Sequence, residues 1–114
     1  MHMEILQNPL TKEDLKKTAA DSFGDMVKGV VDVGRNLLAI DAELHSDLEA
    51  MLLDNGSRQQ DLWGINLYPD LDDEEFVEFD SMINMRPSQD NMSRGVDNEA
   101  TRNRIIDIVN KWII

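Results

Sequence analysis

The alternation between Met26 and His45 constrains this chain more than any other feature. Val27, Gly29, Val31 and Val33 alternate with Met26, Lys28, Val30 and Asp32, and the β-branched content specifies a strand rather than a helix. Gly34-Arg35-Asn36 makes a short turn, and Leu37 to His45 again reads as extended, so the two segments predict a β-hairpin. In the second strand Leu38, Ile40, Ala42 and Leu44 share one face, and Ala39, Asp41, Glu43 and His45 the other.

Helical signals flank the hairpin. Thr11 stands as N-cap to an acidic first turn, and Leu15, Ala19, Ser22 and Phe23 line one side of a helix predicted over 12–23 and stopped by Gly24. Ser46-Asp47-Leu48-Glu49 has the form of a capping box and predicts a second helix over 47–54, burying Leu48, Met51 and Leu52 and closing on Asn55-Gly56. A third strand over 62–68 puts Trp63, Ile65 and Leu67 on one side and Gly64, Asn66 and Tyr68 on the other, until Pro69 ends it. Asp70 to Glu75 holds five acids in six positions and reads as an exposed turn. Phe76 to Arg86 then predicts a fourth strand stopped by Pro87, and Ile105, Ile108, Val109 and Trp112 mark the stripe of a last helix starting at Asp97 or Asn98.

The order α-β-β-α-β-β-α predicts an α+β fold in a single domain over 1–114, with a four-stranded antiparallel sheet and the helices packed on one face. That face would hold Val27, Val31, Leu38, Ile40, Trp63, Ile65, Leu67, Val77 and Phe79, among others. The opposite face would hold Lys28, Asp32, Asp41, Glu43, His45, Asn66, Tyr68, Glu78, Asp80, Asn84 and Arg86. An antiparallel sheet commonly leaves one face wet, so a polar face requires no function. This one gathers side chains of defined hydrogen-bonding geometry in place of the usual Lys/Glu/Thr mixture.

Composition restricts the chemistry. There is no cysteine, and the histidines are only His2 and His45, which removes disulfides, thiolate zinc sites and multi-histidine metal centres. Neither a metal nor a cofactor is expected: the carboxylates lack cation-loop spacing, the six glycines form no phosphate loop, and no serine sits in a nucleophile elbow. A net charge of -12 argues against a non-specific nucleic-acid binder and against an anionic membrane surface. No apolar run approaches the ~18 residues of a membrane span, and Met1-His2-Met3-Glu4 has no signal-peptide character, so a cytoplasmic location is expected.

The stretch Glu78–Arg94 carries the candidate site. The predicted polar edge runs through Asp80, Asn84 and Arg86 into a loop with Ser88, Asn91 and Arg94, and Asn66 joins it from the third strand. An arginine fork can hold a carboxylate or phosphate in two parallel bonds. His45 with Glu43 is the candidate acid/base pair; the other reading of His45 is a ring packed over the first turn of the second helix. Met82 and Met92, near Tyr68, mark a surface for self-association.

Several segments together resemble a known family: Phe23-Gly24-Asp25-Met26-Val27-Lys28, Glu43-Leu44-His45, Leu62-Trp63-Gly64-Ile65-Asn66-Leu67-Tyr68-Pro69, Glu78-Phe79-Asp80-Ser81-Met82-Ile83-Asn84-Met85-Arg86-Pro87-Ser88-Gln89, and the helix from Ile105 to Lys111. The chain is similar over nearly its whole length to a set of small prokaryotic proteins grouped as a domain of unknown function. The resemblance implies a free-standing domain of bacteria or archaea and brings no activity with it.

The leading expectation is therefore a binding or interaction module rather than an enzyme, with the polar sheet face and the Arg86–Arg94 loop as its surface. Its expected partners are a second copy of itself, an unidentified protein or a small anionic ligand. The alternative is a hydrolase or nuclease-like enzyme on a phosphate-bearing substrate, with His45 and Glu43 as the acid/base pair and Arg86 and Arg94 as the anion clamp. A third reading is an antitoxin-like or phage-associated partner protein whose acidity mimics an anionic ligand.

Overall fold

Thr11 caps the first helix as its sequence predicts. In the computed structural model, which describes residues 1–114, the Asp14 amide donates to the Thr11 hydroxyl and the Thr11 amide to the Asp14 carboxylate, opening α1 (Lys12–Ala20). The helix ends three residues short of the expected boundary. Gly24, at φ +93°, donates its amide to the Ala19 carbonyl in the turn that follows.

The hairpin forms as β2 (Val27–Asp32) and β3 (Leu37–Ile40), paired antiparallel with Val30 opposite Ala39. The extended segment expected as far as His45 stops at Asp41. That residue takes a left-handed φ of +74° and turns the chain out of the sheet. α2 (His45–Asp54) then begins one residue before the expected cap: Leu44 is the N-cap, it supplies no side-chain acceptor, and the predicted capping box at Ser46 does not form. Gly56 closes the helix at φ +101°.

β4 (Leu62–Leu67) pairs with β2 along its whole length, placing Asn66 opposite Lys28 and Ile65 opposite Gly29. Where a long fourth strand was expected over 76–86, only β5 (Val77–Glu78) joins the ladder, and two 3-10 turns follow at Met82–Asn84 and Pro87–Gln89. α3 (Glu99–Trp112) starts from Asn98, whose side chain accepts from the Thr101 amide at 2.9 Å. The sheet has five strands rather than four, in the order β1-β3-β2-β4-β5, every neighbour antiparallel. The additional strand, β1 (Glu4–Ile5), is two residues long and too short to carry a period.

The helices do not share one face. Val27, Val31, Leu38, Ile40, Trp63, Ile65 and Leu67 form the larger core with Leu15 of α1 and Ile105, Ile108 and Val109 of α3. Val30, Ala39 and Leu62, on the opposite face, bury Leu48 and Leu52 of α2 in a second core. The expected wet face thus carries an apolar patch at Val30, Ala39 and Leu62, and a patch of that kind has to be covered. The result is three layers, with α2 alone on its side.

Candidate functional site

α2 covers only one end of the second face. Beyond it, Lys28 of β2, Asn66 of β4, Tyr68 and Glu78 of β5 line an open cleft of about 480 Å³. Leu44, His45 and Ser46 at the start of α2 form one wall, and Asp80, Ser81, Met82, Ile83 and Arg94 the other.

Each polar group on this surface has a distinct environment. The His45 ring is almost fully buried, and its Nε2 lies 2.8 Å from the Ile65 carbonyl, so that nitrogen carries the hydrogen of the neutral ring. Burial holds the imidazole below its ordinary range, and the Lys28 ammonium acts in the same direction; the Ile65 carbonyl, the Asn66 side chain and Asp80 oppose it. Asn66, 6% exposed, donates Nδ2 to Glu78 Oε1 at 2.8 Å and to the Asp80 carbonyl at 3.3 Å. Those two acceptors fix the orientation of the amide. Its Oδ1 is buried and has no hydrogen-bond partner. Glu78 Oε1 also accepts from the Tyr68 hydroxyl at 3.1 Å, and burial together with that carboxylate pushes the phenol above its ordinary range.

Two cations stand in this setting. Arg94 Nε donates to Asp80 Oδ1 at 2.7 Å. Lys28 takes part in none of the ion pairs, and its ammonium lies 5.2 Å from the centroid of the Phe23 ring. The N-terminus of α2 opens on the same cleft without a side-chain cap, so its first amides add partial positive charge to that wall.

The cleft brings together His45, Asn66, Asp80 and Arg94 of the expected site, and leaves out the others. Glu43 is exposed and outside the cleft, so the expected His45–Glu43 pair is not assembled. Ser88 is exposed on the second 3-10 turn, also outside it. Asn84 and Asn91 are buried and committed to backbone. Asn84 bonds both peptide groups of Gly64, and Asn91 donates to the carbonyls of Asn84, Ser93 and Gly95 while accepting from the Asp97 amide. Arg86 lies over the Trp63 ring at 4.1 Å and donates to the carbonyls of Gln59 and Leu62. Its guanidinium, lowered from its ordinary range by burial, closes the outer edge of β4.

The cleft residues absent from the expected site include Lys28, Tyr68, Glu78 and the neighbours of His45 at the helix start, Leu44 and Ser46. Lys28 and Tyr68 were legible, since alternation alone puts both on the face of Asn66. Met82 lines the cleft and is 65% exposed, whereas Met92, equally exposed, lies elsewhere. A second depression of similar volume runs past Trp63, Asn91, Asp97 and Thr101 but is lined by no cation. Its Asp97 carboxylate is held below the usual range by the Ser93 hydroxyl and the Met92 amide.

The family model described as a protein of unknown function, DUF5674, matches residues 4–112. The chain belongs to this family. No curated protein and no solved structure matches the chain. No group of three or more His, Cys, Asp or Glu side chains is placed to hold a metal ion, and no helix is long and apolar enough to cross a membrane.

Proposed function

We propose that the protein is a binding module whose site is the cleft between the start of α2 and the Asp80–Ile83 segment, and that it takes a small anionic ligand. The observation that carries this reading is an ammonium without an ion pair, Lys28, sharing one cleft with an uncapped helix N-terminus. An anion there meets partial positive charge from aligned amides and a full charge from the lysine. Arg94 supports it with Nη2, since its Nε bonds Asp80 and its Nη1 lies 3.6 Å from Met82 Sδ. Asp80 and Glu78 limit the site to a compact anion, because a bulky one would be driven against their carboxylates.

The reading favours binding over hydrolysis. His45 sits without Glu43, its Nε2 is engaged by a carbonyl, and no activated nucleophile faces it. Isothermal titration with sulfate and succinate tests the proposal. Saturable one-to-one binding that weakens about tenfold or more in Lys28→Ala supports it, a loss of about 1.4 kcal/mol. Absence of heat at millimolar anion, or equal affinity in Lys28→Ala, overturns it.

A further inference from the structure

We infer that the ligand of this cleft is a zwitterion of the size of a small α-amino acid, held by its carboxylate at Lys28 and by its ammonium at Asn66 and Glu78. The inference rests on the binding reading above and names the ligand class for that same site.

One rung of the sheet carries the argument. Lys28 of β2 stands opposite Asn66 of β4, and Asn66 stands opposite Glu78 of β5. Residues directly opposite one another across an antiparallel ladder send their side chains to the same face. A cation, an amide and a carboxylate therefore follow one another in a row along the cleft.

Each member of the row has unspent capacity. Neither Lys28 nor Glu78 takes part in an ion pair. The two hydrogen bonds that Glu78 accepts, from Asn66 and Tyr68, both fall on Oε1, so Oε2 of this exposed side chain is open. Asn66 is 6% exposed and its Oδ1 has no donor, a condition that native structures rarely leave unexplained. Turning the amide over does not relieve it, because the oxygen would then face Glu78 Oε1 and the Asp80 carbonyl, both acceptors. The row is charged at both ends and lacks an N–H at its centre.

A plain anion answers only one end of it. Such a ligand meets Lys28 and the first amides of α2, but it leaves Asn66 Oδ1 bare and Glu78 without a counter-charge. An ammonium on the same molecule answers the rest, since its three N–H groups serve Asn66 Oδ1 and Glu78 Oε2 in charge-assisted bonds. Neighbouring strands lie about 4.8 Å apart, so one group meeting Lys28 and another meeting Asn66 belong to a short molecule. Asn66 Oδ1 is closed to solvent in the free chain, and the ligand's N–H reaches it as the cleft wall adjusts. Met82, unbranched and 65% exposed, is the flexible member of that wall.

The test is a matched set of probes added to the full chain and followed by NMR chemical-shift titration at neutral pH. The probes are L-alanine, propionate, which lacks only the amino group, and ethylammonium, which lacks only the carboxylate. L-Alanine should bind at one site about tenfold or more tighter than either fragment, the scale of a hydrogen bond to a charged group. The side-chain carbonyl carbon of Asn66 should shift with L-alanine and stay in place with propionate. In Glu78→Gln, a change at an exposed position, the preference for L-alanine over propionate should fall to near parity. Propionate binding as tightly as L-alanine, an Asn66 carbonyl that ignores L-alanine, or an undiminished preference in Glu78→Gln overturns the zwitterion and leaves the anion reading standing. No binding of L-alanine, propionate or sulfate overturns both.

Discussion

The side chain of Asn84 holds Gly64 by both of its peptide groups: the Gly64 amide donates to Asn84 Oδ1 at 2.8 Å, and Asn84 Nδ2 donates to the Gly64 carbonyl at 2.9 Å. A side-chain amide here does the work of a neighbouring strand. β4 is otherwise bare on this side, because β5 pairs only with Asn66 and Leu67. Arg86 extends the same substitution by capping the Leu62 carbonyl. Together they satisfy an edge that would otherwise present open backbone groups.

Asn84→Ala should destabilise the fold by about 2–4 kcal/mol, since each buried group left unpaired costs about 1–3 kcal/mol and water recovers part of it. Asn84→Asp should be worse, because it places a carboxylate against the carbonyls of Gly64 and Arg94. Urea denaturation at neutral pH measures both; a loss below about 0.5 kcal/mol for the alanine variant would make the clamp incidental.

Gly64 is glycine because the loop lies directly on it. A Cβ at this position would come within 2.5 Å of the Ser81 Cβ. Gly64→Ala should cost about 1–3 kcal/mol through overpacking, and Ser81→Gly in the same chain should return part of that loss. A double-mutant cycle reads the coupling. Independent, additive effects would contradict the contact.

Stability should depend on pH through His45. Its folded-state value lies below the ordinary 6.5, so between the two values the unfolded chain binds more protons than the folded one. The contribution is complete above the ordinary value and is lost as pH falls below it toward the folded value. Thermal melts from pH 7.5 down to pH 5 should therefore decline more steeply for the native chain than for His45→Gln. Parallel curves would remove His45 as the source.

Arg86→Lys should cost about 1–2 kcal/mol despite preserving charge, because an ammonium cannot stack on Trp63 and fork to two carbonyls. A change within the scatter of surface substitutions would show that the stack and the two carbonyl bonds contribute little.

Leu52 of α2, fully buried against the second face of the sheet, tests the third layer. Leu52→Ala should lose about 2–5 kcal/mol, as core truncations do. Chemical denaturation that placed it near zero would mean that the second face does not depend on α2.

Much of the fold was legible because periodicity is a local signal. Val27, Val31, Trp63, Ile65 and Leu67 fall on one face by alternation, and Ile105, Ile108 and Val109 by helical spacing, and all are buried in the larger core. Thr11 announced its helix by capping chemistry, and Asn98 was one of two residues expected to start the last one. β1 was not legible, since two residues hold no pattern. The site was half legible: Asn66, Asp80, Arg94 and His45 do meet. Asn84, Asn91 and Arg86 have the composition of a binding loop and spend their hydrogen bonds on backbone.

The sequence by itself determined where strands and helices form and which side of each is apolar, because dihedral preference and hydrophobic period act over a few residues. Only the tertiary structure decided the rest. Asp41 at φ +74° takes the chain out of the sheet and lets α2 settle on the second face, over Val30, Ala39 and Leu62. That placement moves His45 from a strand edge to a helix start, beside Asn66 and Lys28 and away from Glu43. The same packing draws Asn84 and Arg86 onto β4. A side chain's partners depend on which buried groups still lack one when the layers close, and that sum is taken over the whole chain.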